Sequence, residues 1–217
     1  MNKILIKHVV SLGSCCHTAT FLKNEKLKIE SYPFDWIFSG PKVNYEIITD
    51  SFKTFLDKSQ YTVLTEHRSG HKIYGHRFFN HKDPKTESDY SYYLRCVERF
   101  NKVIKSNNQK LFIITNVIDR GVRIPIEHEE KEYTNKLYEY FKSTSTNFSL
   151  IYINPILMPL DEYTKLSEYF KVEKNENMYW ITLYVKSHSD GLKFMDQADN
   201  IHYKEAIYTF FDFDIEK

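Results

Sequence analysis

Val9-Val10-Ser11-Leu12-Gly13-Ser14-Cys15-Cys16-His17-Thr18-Ala19 carries a strand end, a turn and a helix start in one short stretch. The apolar residues Ile4, Leu5, Ile6, Val9 and Val10 form a short β-branched run of the kind a buried strand uses. The run stops at Gly13, and Ala19, Phe21 and Leu22 then recur on one helical face. A glycine turn allows a tight reversal. Free N–H groups and the dipole at a helix start stabilise a thiolate or an oxyanion. Ser14, Cys15 and Cys16 are therefore candidate nucleophiles. The plainer reading is a βα turn with two buried, inert cysteines, because free cysteine is among the most buried residue types.

The alternation continues along the chain. A second strand is expected over residues 28–34, ended by Pro33. Ser39-Gly40-Pro41 announces a helix carrying Val43, Ile47, Ile48 and Phe52. Residues 61–81 read as a hairpin excursion around Arg68-Ser69-Gly70-His71. A long helix is expected from Ser88 or Asp89 to about Asn107, with Cys96 a packing residue inside it. Strands follow at 111–117, 148–153 and 178–185, the last paired with 171–174. Helices are expected over 129–141, 161–170 and 203–211. Near-continuous apolar strands between amphipathic helices predict an α/β fold, an open, mostly parallel sheet flanked by helices on both faces. No Gly/Ser/Pro-rich linker divides the sequence, so residues 1–217 are expected to form a single α/β domain.

Composition narrows the class of function. Lys plus Arg total 30 against 29 for Asp plus Glu, a formal charge of +1, with no basic block. Nucleic acid is not the expected partner. No apolar run approaches a membrane span, and mean hydropathy is −0.53, so no membrane partner is expected either. Three cysteines cannot all pair, and Cys15 and Cys16 are adjacent. With no apolar h-region after Met1-Asn2-Lys3, the expectation is a soluble, cytoplasmic protein in a reducing compartment.

In open sheets the working crevice lies at the carboxyl ends of the strands. Gly13 to Cys16, Asn116, Asn154 and the loop before His202 all fall there. A covalent mechanism needs a nucleophile, a base and oxyanion donors. His202 supplies a candidate base, Asp199 a group to orient it, and Asn116 an oxyanion donor. His81 with Asp83 is a reserve base pair. In Tyr32-Pro33-Phe34-Asp35-Trp36, Asp35 and Trp36 are candidate substrate contacts, although Phe34 and Trp36 also suit a structural anchor. His67, His71, His76 and His81 crowd the hairpin, but without a short paired spacing and an acidic partner no metal site is expected.

Ser11-Leu12-Gly13-Ser14-Cys15-Cys16 with Ala19, followed by Ser31-Tyr32-Pro33-Phe34-Asp35-Trp36, resembles the family described as putative papain-like cysteine peptidases, found in bacteria and large DNA viruses. Its pattern is roughly S-L-G-x-N-C-x-x-A and S-Y-P-F-D-W. The family cysteine falls on Cys16, and Cys15 stands where the family has Asn. His81 in Phe78-Phe79-Asn80-His81 and the helix carrying Arg99-Phe100 also resemble it. A fainter similarity runs to GSCFA and SGNH/GDSL hydrolases, whose nucleophile block resembles Gly13-Ser14-Cys15 and whose late D-x-x-H resembles Asp199 to His202. In that register Cys15 takes the serine position. The strand–helix alternation favours an SGNH- or flavodoxin-like sheet.

These readings imply a hydrolase or acyltransferase acting through an acyl-enzyme, with no cofactor and a small-molecule, glycan or peptide substrate. The papain-like peptidase is the first alternative. A non-catalytic binding or accessory module, linked to glycan processing, is the second.

Overall fold

The computed structural model describes residues 3–65, 68–79, 81–117 and 127–215. In chain order the elements are β1 (Ile4–Ile6), β2 (His8–Ser11), α1 (Cys16–Asn24), α2 (Pro41–Thr49), β3 (Tyr61–Thr65), β4 (Arg68–His71), β5 (Gly75–Phe79) and α3 (Glu87–Lys105). Then come β6 (Lys110–Thr115), α4 (Glu127–Thr144), β7 (Phe148–Leu157), α5 (Leu160–Tyr163), β8 (Phe170–Asn175), β9 (Met178–Val185), α6 (Gln197–Tyr208) and β10 (Phe211–Phe213).

The main sheet runs β2-β6-β7-β9-β8, parallel except for β8, which lies antiparallel on β9. β1 pairs with β10 in a separate parallel ribbon. Side chains alternate across the sheet. Val10, Phe112, Ile114, Leu150 and Tyr152 face one layer, with Ile47 of α2, Phe100 of α3 and Phe141 of α4. Val9, Leu111, Ile113, Ile151 and Ile153 face the other, with Leu22 of α1 and Tyr203, Ala206 and Ile207 of α6. Both faces are covered, as the continuous apolar strands require.

Three expected elements are corrected. Residues 28–34 form a loop and not a strand, because the Tyr32 N–H goes to the Asp35 carboxylate at 2.8 Å and not into a ladder. The sheet therefore steps from β2 through β6 to β7 without the reversal beside the first strand found in flavodoxin-like sheets, and only at the far edge does the order turn back, with β9 between β7 and β8. The helix expected over 161–170 is one turn, α5, because Phe170 to Asn175 pair with β9. α6 starts at Gln197, earlier than expected, where the Asp196 side chain caps the Ala198 N–H at 2.8 Å.

The excursion is a three-stranded antiparallel sheet, β3-β4-β5. Its Phe78 and Phe79 join Phe52, Phe55 and Tyr93 in the first core layer. That packing anchors the end of β5, two residues before His81.

Candidate active site

Gly13 makes the turn that presents the cysteines. Its φ is +86°, and a Cβ there would sit 2.7 Å from Ser39 Oγ. Gly13→Ala is expected to cost about 1–2 kcal/mol for the backbone alone, with the steric clash added. A thermal melt checks this, and Ser39→Gly in the same chain should restore the steric part only. Past the turn, Ser14 Oγ donates to Thr115 O at 2.7 Å and accepts from the Val117 N–H at 3.1 Å. The Ser14 hydroxyl thus ties the end of β2 to the end of β6.

Cys15 is the N-cap of α1 and Cys16 its first residue. No side chain caps this terminus and no acidic residue lies in the first turn. The positive end of the helix is therefore left for the cysteine sulfur to use. The two thiols diverge. Cys15 Sγ reaches Gly191 O at 3.4 Å, while Cys16 Sγ lies 3.1 Å from His81 Nε2. Cys16 is 3 % exposed, and His81 is the solvent-facing member of the pair. The Trp36 ring stands perpendicular to the imidazole, 6.1 Å between centroids. Ser31, Trp36, His81, Tyr92 and Leu192 line a hollow of about 380 Å³ beside the pair.

Beneath Trp36, the ammonium of Lys28 is paired with the Asp35 carboxylate and donates to Glu30 O at 2.8 Å. Lys28 also lies 5.8 Å from the Trp36 ring centroid. Asp35 is 1 % exposed, so its carboxylate holds the loop and is not presented to the hollow. Burial pushes its pKa up, and Lys28 opposes that shift. This lysine was not a sequence candidate; its position seven residues before Asp35 gives no motif.

The structure does not bring His202 to the cysteines. It is stacked on Tyr169, 3.9 Å between ring centroids, with Nδ1 3.1 Å from Glu205. Asp199 does not orient it. The Asp199 carboxylate accepts from the Lys186 and Ser187 N–H groups, the Ser187 hydroxyl and Tyr163 OH, pinning the loop after β9. Asn116 donates to Asn154 at 3.3 Å. Thr115 faces α1, bonding Thr18 at 2.8 Å, so strand alternation turns Asn116 to the opposite layer. Asp83 is engaged by the Ser69 hydroxyl and the Lys85 N–H rather than by His81. His67 lies outside the described residues. His71 is buried against Tyr74 and bonds Thr54 O at 3.1 Å. Among the described residues no group of three or more His, Cys, Asp or Glu could hold a metal ion.

His17, next to Cys16, is buried, with Nδ1 2.9 Å from Ser189 Oγ and its ring edge-on to Phe194 and Tyr203. Burial lowers its pKa to about 4, against a smaller opposing effect of Asp190. Between its ordinary 6.5 and about 4, the unfolded chain binds a proton that the folded chain does not. Stability therefore falls as pH drops through that window, by about 3 kcal/mol when the full shift is expressed. Urea unfolding at pH 7 and near pH 4 measures it, and His17→Asn should remove this part of the slope. Cys96 behaves oppositely to a reactive thiol: it is fully buried in α3, and burial pushes its pKa up to about 11.

Residues 7–83 match the family described as putative papain-like cysteine peptidase (DUF1796), the family that the N-terminal motifs resemble. The matched span contains both Cys16 and His81. No curated protein and no solved structure matches the chain. No helix among the described residues is long and apolar enough to cross a membrane.

Proposed function

We propose that this chain, whose residues 7–83 match a cysteine-peptidase family, is a cysteine hydrolase or acyltransferase with Cys16 as nucleophile and His81 as base. The observation that carries this reading is the 3.1 Å contact between Cys16 Sγ and His81 Nε2 at an uncapped helix start. A thiol and an imidazole at that distance can exchange a proton directly.

In the first half-reaction the Cys16 S–H proton passes to His81 Nε2 while the sulfur attacks the substrate carbonyl carbon. The N–H groups of the first turn of α1 face the developing oxyanion. His81 then returns the proton to the leaving group as the carbon–leaving-group bond breaks, leaving a thioester on Cys16. Water, or an acceptor nucleophile, gives its proton to His81 and attacks the thioester carbon; the carbon–sulfur bond breaks, and the departing Cys16 sulfur takes that proton back from His81. The hollow beside Trp36 and Tyr92 receives the acyl side of the substrate. The arrangement parallels papain-like enzymes in one respect: the cysteine opens a helix and the histidine comes from an antiparallel sheet.

The test is to incubate the protein with p-nitrophenyl acetate, quench in acid and map the acetyl group by peptide mass spectrometry. The reading expects a thioester on Cys16, absent in Cys16→Ala. Acetylation of Ser14 or Cys15 in its place, or of neither, would overturn it.

A further inference from the structure

A second hollow, independent of the Cys16 reading, lies at the carboxyl edge of the sheet on the α4 side. Strand register builds it in two rows. Ile114, Tyr152, Trp180 and Glu173 are neighbours across β6, β7, β9 and β8. Two residues further on, and so on the same face, come Asn116, Asn154 and Thr182. Asn154 stands opposite Thr182, and the Asn116 N–H bonds Ile153 O at 2.8 Å. The aromatic pair Tyr152 and Trp180 is thus followed by a row of neutral hydrogen-bonding side chains. With Glu173, these two aromatics and the polar row line a hollow of about 350 Å³.

The polar row has unused capacity. Asn116 donates one amide hydrogen to Asn154 Oδ1 at 3.3 Å. Among the described residues, the Asn116 amide oxygen, the Asn154 amide nitrogen and the Thr182 hydroxyl have no further partner. Charge at the rim cancels: Lys131 Nζ is 3.9 Å from the Glu173 carboxylate and 5.5 Å from the Trp180 ring centroid. Trp180 and Tyr152 pack with centroids 4.8 Å apart, and Trp180 stays half-buried.

These features select a ligand. A site with no net charge does not favour an ion. Three hydrogen-bonding side chains on adjacent strands extend over about 10 Å. That spread suits hydroxyls distributed along a molecule better than polar atoms gathered on one edge of a planar base. An indole beside such a row offers a surface for C–H faces. We propose that this hollow binds a neutral, polyhydroxylated ligand of the sugar class.

The chain has two tryptophans, so in a Trp36→Phe background, excited at the red edge where tyrosine does not absorb, Trp180 is the sole emitter. That protein is titrated with methyl glycosides of the common hexoses, with N-acetylglucosamine, and with a neutral nucleoside as a separate arm. At least one sugar should change the emission saturably. Asn154→Ala and the isosteric Thr182→Val should each weaken it about fivefold to tenfold, with far-UV circular dichroism unchanged. Saturation-transfer NMR on the wild-type chain should show the same sugar bound. No saturable response to any sugar by either method, saturation by the nucleoside alone, or unchanged affinity in both variants would overturn the proposal.

Discussion

His81→Ala will lower turnover of an activated acyl substrate by roughly 10²–10⁴-fold, the usual contribution of a positioned general base. Cys16→Ala will abolish it, and His202→Ala will leave it unchanged. The asymmetry between the two histidines follows from where their nitrogens point. His81 Nε2 is within 3.1 Å of the Cys16 sulfur. His202 Nδ1 is held by Glu205, and its ring is stacked on Tyr169. Steady-state rates of the three variants, with circular dichroism as a control for folding, decide the matter. Equal losses in His81→Ala and His202→Ala would contradict the assignment.

Lys28→Met will destabilise the protein by roughly 3–5 kcal/mol, because it leaves the Asp35 carboxylate buried without its counter-charge. The two side chains are 10 % and 1 % exposed, so solvent screens the pair little. The double variant Lys28→Met, Asp35→Asn should recover part of the loss, since no uncompensated charge remains. The pH dependence has a definite sign. Burial raises the Asp35 pKa above its ordinary value, so only between those two values does the folded chain hold a proton that the unfolded chain has released. Stability from this group is then present below the ordinary carboxylate pKa and lost as pH rises through the raised one. Lys28→Met removes the opposing effect of the ammonium, so its stability should recover on mild acidification more than that of the wild type. Urea titrations across pH check both statements. A Lys28→Met protein as stable as wild type at neutral pH would show that the pair does not anchor the Trp36 loop.

The layers of the fold were legible because they depend on local patterns. Leu111 to Ile114 and Leu150 to Ile153 are runs of apolar and aromatic residues, and both lie in central strands covered on two faces. The loop at 28–34 was not legible. Ile29, Tyr32 and Phe34 look like a strand, but Asp35 takes the Tyr32 N–H and Lys28 folds back onto Asp35. Those are side-chain choices that a propensity reading does not weigh. The proposed nucleophile could be picked out as a candidate from Gly13 and the helix start, because both lie within a few residues of Cys16. The proposed base was harder, since His81 lies 65 residues from Cys16 and follows the antiparallel sheet. Asp199 and His202 have the spacing of an orienter and a base, yet the carboxylate turns to the loop after β9. The sequence signals for His81 were its closeness to Asp83, which the structure does not use, and its place in Phe78-Phe79-Asn80-His81, which resembles the family pattern.

The pairing of Cys16 with His81 is tested most directly by the rate of iodoacetamide modification of each cysteine at pH 6, read by peptide mass spectrometry. An ordinary thiol with a pKa near 8.5 is only about 0.3 % thiolate there. Cys16 should be modified first, Cys96 should stay unmodified within α3, and His81→Ala should slow Cys16 by about tenfold or more. Slow modification of Cys16, or a rate that His81→Ala leaves unchanged, would contradict the thiol–imidazole pair.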